Sequence, residues 1–161
     1  MKSTLIVTLT MLSMAAPAFA QGDAEAGARE YNKCRSCHMI QDTDGNMIVQ
    51  GGKTGPNLFN IVGSKFAAEE GFKYGNGLPA VAETHPDAVW DVASLSEYLV
   101  NPTDYVRAHS GNATARSLMT FRMPKGAAQD NLIAYLVSVS PDAPEQPTDS
   151  DGAPLAPPAA E

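Results

Sequence analysis

Two cysteines, three histidines and one tryptophan are all that this chain of 161 residues holds of those side chains. The shortage excludes several kinds of protein. Two cysteines cannot make a multi-disulfide framework. A closed zinc site needs four ligands, and beyond Cys34, Cys37 and His38 only His85 and His109 remain, in no paired spacing. Positive charge is scarce too, with 11 Lys and Arg against 18 Asp and Glu. Nucleic acid is a poor partner for such a surface. Nor is there an apolar run of the roughly 20 residues that a membrane span requires, so stable insertion in a bilayer is not expected.

Both ends read as something other than folded domain. Lys2 supplies a positive start, residues 5–12 form a short apolar run diluted by Thr8 and Thr10, and Pro17-Ala18-Phe19-Ala20 ends in a small-x-small pattern. These are the parts of an export signal, with cleavage expected after Ala20 and the periplasm as destination. At the other end, residues 141–161 are proline, small residues and acids. Such a stretch has too little apolar surface to offset its ordering entropy and reads as a disordered tail. The working domain is therefore 21–140, the ordinary size of one small domain. Without Lys2 and the tail's Asp142, Glu145, Asp149, Asp151 and Glu161, it keeps 10 basic and 13 acidic residues, a net charge of −3.

The two cysteines stand as Cys34-Arg35-Ser36-Cys37, and His38 follows directly. A thioredoxin-like redox pair would sit after a strand, whereas residues 23–33 are rich in Ala, Glu and Arg and read as helix. Cys-x-x-Cys-His is instead the attachment sequence for a c-type haem. Cysteines three apart reach the two vinyl groups of one porphyrin, and the next residue then lies under the iron, where imidazole is a good ligand. A porphyrin also supplies apolar surface to a domain with one Trp and four Phe. One covalently bound haem c, held by Cys34 and Cys37 with His38 on the iron, is the cofactor expected.

The sixth ligand decides what such an iron does. Methionine opposite histidine gives an electron carrier of raised potential; an open position suits a peroxidase-like enzyme or a ligand-binding protein. Met39 adjoins His38 and lies on its side of the ring, and Met47 falls in the polar segment 41–52, where exposure is expected. Met119 and Met123 follow a loop rich in Gly, Asn and Thr that could approach the far face. Spacing alone does not choose between them. His85 and His109 read as surface residues, with His109 the one rival for the distal position.

An ordered set of motifs then emerges: Gly22-Asp23-Ala24-Glu25-Ala26-Gly27 before Cys34, Gly51-Gly52-Lys53-Thr54-Gly55-Pro56-Asn57-Leu58, Gly71-Phe72-Lys73-Tyr74, Glu97-Tyr98-Leu99-Val100-Asn101-Pro102, Met119-Thr120-Phe121 and Leu132-Ile133-Ala134-Tyr135-Leu136. Together they resemble a class I cytochrome c of the bacterial c2/c550 type, a relative of mitochondrial cytochrome c. The resemblance implies an all-α class I cytochrome c fold of short helices and long loops around one haem. It implies Met119 as the second iron ligand, with Met123 packing. It also implies that the Pro56 carbonyl orients His38, that Tyr74 and Trp90 meet the haem propionates, that Tyr98 lies near the Met sulfur and that Phe121 shields the haem edge. Gly27 and Tyr31 would pack on Leu132 and Tyr135.

Two positions depart from the family. Ser64 stands where an arginine usually meets a propionate, which leaves that carboxylate less neutralised and the potential lower. Leu118 stands where a lysine commonly precedes the ligand Met, which removes one charge from the docking face. The function implied is a soluble periplasmic carrier, monomeric and not an enzyme. It would pass single electrons from a quinol–cytochrome c reductase of the bc1 type to an oxidase, a denitrification reductase or a photosynthetic reaction centre. Lys33, Lys53, Arg116, Arg122 and Lys125 flank the haem motifs and are expected to gather at the haem edge and steer docking. Helices are expected over 23–32, 91–100 (stopped before Pro102) and 129–139 (stopped by Pro141), with room for a short one over 66–71.

Overall fold

A computed structural model describes residues 22–144. The expected leader and residues 145–161 of the expected tail lie outside the described residues. Helix α1, Ala24–Glu30, starts where the Asp23 carboxylate accepts from the Glu25 and Ala26 amides at 2.8 and 3.2 Å. A 3-10 turn, Tyr31–Lys33, carries the chain on to Cys34. The last helix, α5 (Ala127–Ser138), lies across α1. Their crossing depends on Gly27, because a Cβ there would fall 1.9 Å from the Asn131 carbonyl oxygen and 2.7 Å from the Tyr135 Cβ. Asn131 also accepts from the Asp23 amide at 2.8 Å, tying the start of α1 to α5. One turn along, Tyr31 meets the Tyr135 ring edge-on at 5.6 Å.

Three further helices complete the shell. In α2, Gly77–Thr84, Pro79 is tolerated because it sits in the first turn, where the missing N–H has no helical partner. Helix α3, Val92–Val100, begins in a capping box: Asp91 accepts from the Ser94 amide and the Ser94 hydroxyl accepts from the Asp91 amide. Helix α4, Pro102–Ser110, starts one residue after α3 ends. Asn101 terminates α3 in extended conformation and caps α4 through the Asp104 amide, while Pro102 opens the new helix. Gly111, at φ +64°, closes α4. Among the described residues no helix is long and apolar enough to cross a membrane.

The helices stand close to expectation at 23–32, 91–100 and 129–139, but α2 and α4 were not expected. Pro102, read only as a stop for α3, is also a start, since its fixed φ suits the first helical position. Residues 66–71 do not form a helix. Ala67 adopts φ +55°, and Phe66 is buried against Trp90 with ring centroids 4.4 Å apart. The polar segment after Met39 contains a small antiparallel pair, β1 (Ile40–Gln41) and β2 (Met47–Val49). Met47, as expected of that segment, is exposed. Just beyond α5 the chain folds back on the domain: Ala143 rests on the core, and Asn60 and Asp142 exchange hydrogen bonds of 2.6 and 3.2 Å.

The core joins α1, α3, α4 and α5 around an aromatic cluster. Trp90 lies at the centre, 5.0 Å from Tyr98 edge-on and 5.8 Å from a stacked Tyr105. Tyr31 is 1% exposed, and its hydroxyl has no hydrogen-bond partner among the described residues. A buried donor without a partner costs about 1–3 kcal/mol. Tyr31→Phe should accordingly leave stability unchanged or raise it by about 1 kcal/mol, read as a higher urea midpoint at constant m-value. Gly27→Ala should lower stability by about 3 kcal/mol in the same titration, because backbone sits where the methyl group would go.

Candidate haem site

The cysteine motif is a single helical turn. The amides of Cys37 and His38 both donate to the Cys34 carbonyl, at 3.0 and 2.9 Å. Cys34 is half-buried, Cys37 is exposed, and the two are not joined as a disulfide. Burial pushes the Cys34 thiol up to about 11, against a smaller pull from Lys33. Hydrogen bonds from Thr54 and Ser36 hold the Cys37 thiol below its ordinary value. The two sulfurs therefore differ in reactivity before any bond is made to them, since the thiolate is the nucleophile.

The segment 51–56 lies against this turn and fixes the imidazole. Gly52 donates to the Arg35 carbonyl and Gly55 to the Cys37 carbonyl, each at 2.9 Å. No side chain larger than hydrogen fits at three of these positions. A Cβ on Gly51 would lie 1.9 Å from the His38 carbonyl oxygen, on Gly52 2.3 Å from that of Ser36, and on Gly55 2.3 Å from the His38 ring. His38 Nδ1 then donates to the Pro56 carbonyl at 2.8 Å. A carbonyl only accepts, so Nδ1 carries the proton and Nε2 keeps its lone pair. Burial, which favours the neutral ring that a metal requires, holds the imidazole below its ordinary pKa and outweighs the opposing pull of this hydrogen bond.

Cys34, His38 and Met119 line one cavity. It is partly open to solvent, and about 990 Å³ of space, solvent at its mouth included, lies free of protein atoms. Its walls are largely aliphatic and aromatic, with Leu58, Ile61, Leu78, Leu95, Leu99 and Leu132 beside Phe72, Tyr74, Trp90 and Tyr98. An apolar cavity lined by one thiol of the Cys-x-x-Cys-His turn, an imidazole and a thioether, with Cys37 exposed outside the lining, fits a porphyrin. Zinc is not favoured: among the described residues there is no group of three or more His, Cys, Asp or Glu able to hold a metal.

The expected site residues fall into place unevenly. Pro56, Tyr74, Trp90, Tyr98 and Met119 all line the cavity, whereas Phe121 is half-buried against the core outside the lining. The Tyr74 hydroxyl accepts from the Glu69 amide at 3.3 Å. Tyr98 directs its hydroxyl to the Ser117 Oγ at 2.7 Å, and that oxygen accepts from the Met119 amide at 3.1 Å. Met123 is 5% exposed and packs in the core. His109 sits on α4, tilted against Tyr105 and paired with Glu97 at 3.2 Å, and its backbone carbonyl accepts from His85. Neither histidine lines the cavity.

All five expected docking cations are exposed. Arg116 lines the cavity itself, Lys53 precedes the lining residue Thr54, and Lys33 precedes Cys34 but is paired with Glu30. Two features of the wall escaped the sequence reading. Leu78 comes from the unexpected α2, and Ser117 is a small polar residue with no pattern to mark it. Ser64 turns its hydroxyl to the Ile61 carbonyl at 2.8 Å, while Lys65 donates to the Pro86 carbonyl at 3.0 Å.

No protein-family model matches the chain. Individual relatives match it over nearly their whole length. Cytochrome c-550 of Paracoccus versutus is 47% identical over 154 residues, covering 95% of this chain and 99% of that protein. Cytochrome c2 of Cereibacter sphaeroides is 39% identical over 129 residues, covering 78% and 88%. Among solved structures, cytochrome c2 of Paracoccus denitrificans superposes with a TM-score of 0.73 at 49% identity, covering 76% of this chain and 99% of that one. With this likeness added to the cavity and the side chains that line it, the chain belongs to the cytochrome c-550/c2 family of class I cytochromes, electron-transfer proteins and not enzymes, and carries one covalently bound haem c.

Proposed function

We propose that this chain is a soluble periplasmic carrier of single electrons, with the haem joined to Cys34 and Cys37 and its iron held by His38 and Met119. The observation that carries this reading is the shared cavity of Cys34, His38 and Met119, with Nδ1 of His38 already committed to Pro56. When bound, the haem supplies a one-electron ferric/ferrous couple. The polypeptide's part is to keep the same ligands in both states. Pro56 fixes the ring, and Tyr98 and Ser117 fix the backbone at Met119. An apolar wall disfavours the more charged oxidised state and so raises the potential, as a thioether ligand also does. Tyr74 and Trp90, which line the cavity, would meet the propionates, and Ser64 would bring no charge to them.

The electron donor in this reading is a quinol–cytochrome c reductase of the bc1 type. The acceptor is a terminal oxidase, a denitrification reductase or a reaction centre. Lys53, Arg116, Arg122 and Lys125 make no ion pair among the described residues and are available to an acidic partner. Lys33, already paired with Glu30, adds less. Export by the leader at 1–20 would bring the chain to the compartment where such complexes exchange electrons.

Two measurements test these assignments. In the haem-loaded protein, Met119→Ala should abolish the weak ferric absorption band of Met–Fe charge transfer near the red edge of the visible. It should also lower the midpoint potential by a sizeable part of the roughly 0.8 V that axial ligation spans. If the band persists in that variant, Met119 is not the ligand. For docking, the second-order rate of electron transfer from a purified reductase should fall as salt rises, and Lys53→Glu should slow it several-fold at low salt only. A rate indifferent to ionic strength would remove the steering role.

A further inference from the structure

Residue 129 is a glutamine buried to 0% exposure in the first turn of α5, and none of its hydrogen-bonding groups is idle. Its Nε2 donates to the Met123 carbonyl at 2.9 Å and to the Ser96 carbonyl at 3.1 Å. Its Oε1 accepts from the Ser96 hydroxyl at 2.7 Å. The orientation of the amide is fixed by these partners, because the reverse would set an acceptor against two carbonyls. A fully buried amide is costly unless satisfied, so its presence among leucines calls for a reason.

The reason lies in what it holds. The segment 117–123 carries the cavity's thioether and has no helix or strand of its own. It is attached to α3 at both ends. Upstream, Tyr98 of α3 bonds Ser117, whose oxygen also takes the Met119 amide. Downstream, the Met123 amide donates to the Leu99 carbonyl at 2.7 Å, and Gln129 joins the Met123 carbonyl to Ser96. Five residues separate the anchored Ser117 from the anchored Met123, and Met119 lies among them. A segment pinned at one end swings; pinned at two, it presents its side chain in one place.

We propose that Gln129 is a positioning residue for the Met119 thioether, acting through the Met123 carbonyl and without contact to the iron. The inference rests on Met119 being the sixth ligand. Removing the amide frees the downstream anchor, leaves the buried Met123 carbonyl without this donor and raises the share of molecules in which the thioether has left the metal. An external ligand binds only that share, so its apparent affinity rises by the same factor.

Imidazole, titrated into the oxidised haem-loaded protein, is the probe. The readout is loss of the methionine charge-transfer band. Gln129→Leu should tighten apparent imidazole binding about tenfold, the order expected from a lost buried hydrogen bond. Ser96→Ala, which only frees the amide to rotate, should tighten it about threefold. Val62→Ala truncates a core side chain outside the cavity lining, and should lower the melting temperature with no change in imidazole affinity. If Gln129→Leu and Ser96→Ala both bind imidazole like the parent while their melting temperatures fall, Gln129 only stabilises the fold and the proposal fails. If the parent itself lacks the band, the ligand assignment fails first, whatever the variants do.

Discussion

The hydrogen bond from His38 Nδ1 to the Pro56 carbonyl organises everything around it. It forms only because the turn 34–38 and the segment 51–56 press together, and they do so because Gly51, Gly52 and Gly55 place backbone against backbone. The bond settles which ring nitrogen holds the proton, and with it which one is free to bind a metal. Burial keeps that ring uncharged, against the smaller opposing pull of the bond itself. The cysteine motif alone provides the atoms; this neighbouring strip of glycines and one proline gives them direction.

The opposite wall is built by a different economy of contacts. Helix α3 places Leu95, Tyr98 and Leu99 in the cavity wall and anchors the methionine segment to its own backbone and side chains. Helix α5 braces α3 through Gln129 and Ser96, and is itself held by α1 at the Gly27 crossing. The histidine lies just after α1 in the chain, and the methionine just before α5. Docking α1 on α5 thus brings the two ends of the binding site together, so the same contact that closes the fold closes the site.

Chemistry was more legible in the sequence than architecture. Cys34, Cys37 and His38 declare themselves by spacing, and the Asp23 and Asp91 caps mark two helix starts. Met119 could not be separated from Met123 by spacing, because both follow the same polar loop; burial of Met123 and cavity exposure of Met119 part them in the structure. Helix α4 was hidden by Pro102, which signals both an end and a beginning. Residues 66–71 left room for a short helix, but Ala67 takes a positive φ and Phe66 packs edge-on against Trp90 instead. Gln129 gave no signal at all: in a string it is an ordinary polar residue near a helix start, and only three-dimensional enclosure gives it a task.

Asn101 has a consequence of its own. One residue is both the stop of α3 and the cap of α4, so the elbow between them has no spare length. Most joints between helices can absorb an inserted residue as extra loop, but here any insertion would have to break a cap or rotate α4 about its axis. Tyr105 and Val106 would then turn out of the core, taking with them the ring that stacks on Trp90. Among lineages that share this fold, the elbow is therefore a place where chain length should stay fixed even while the side chains around it drift.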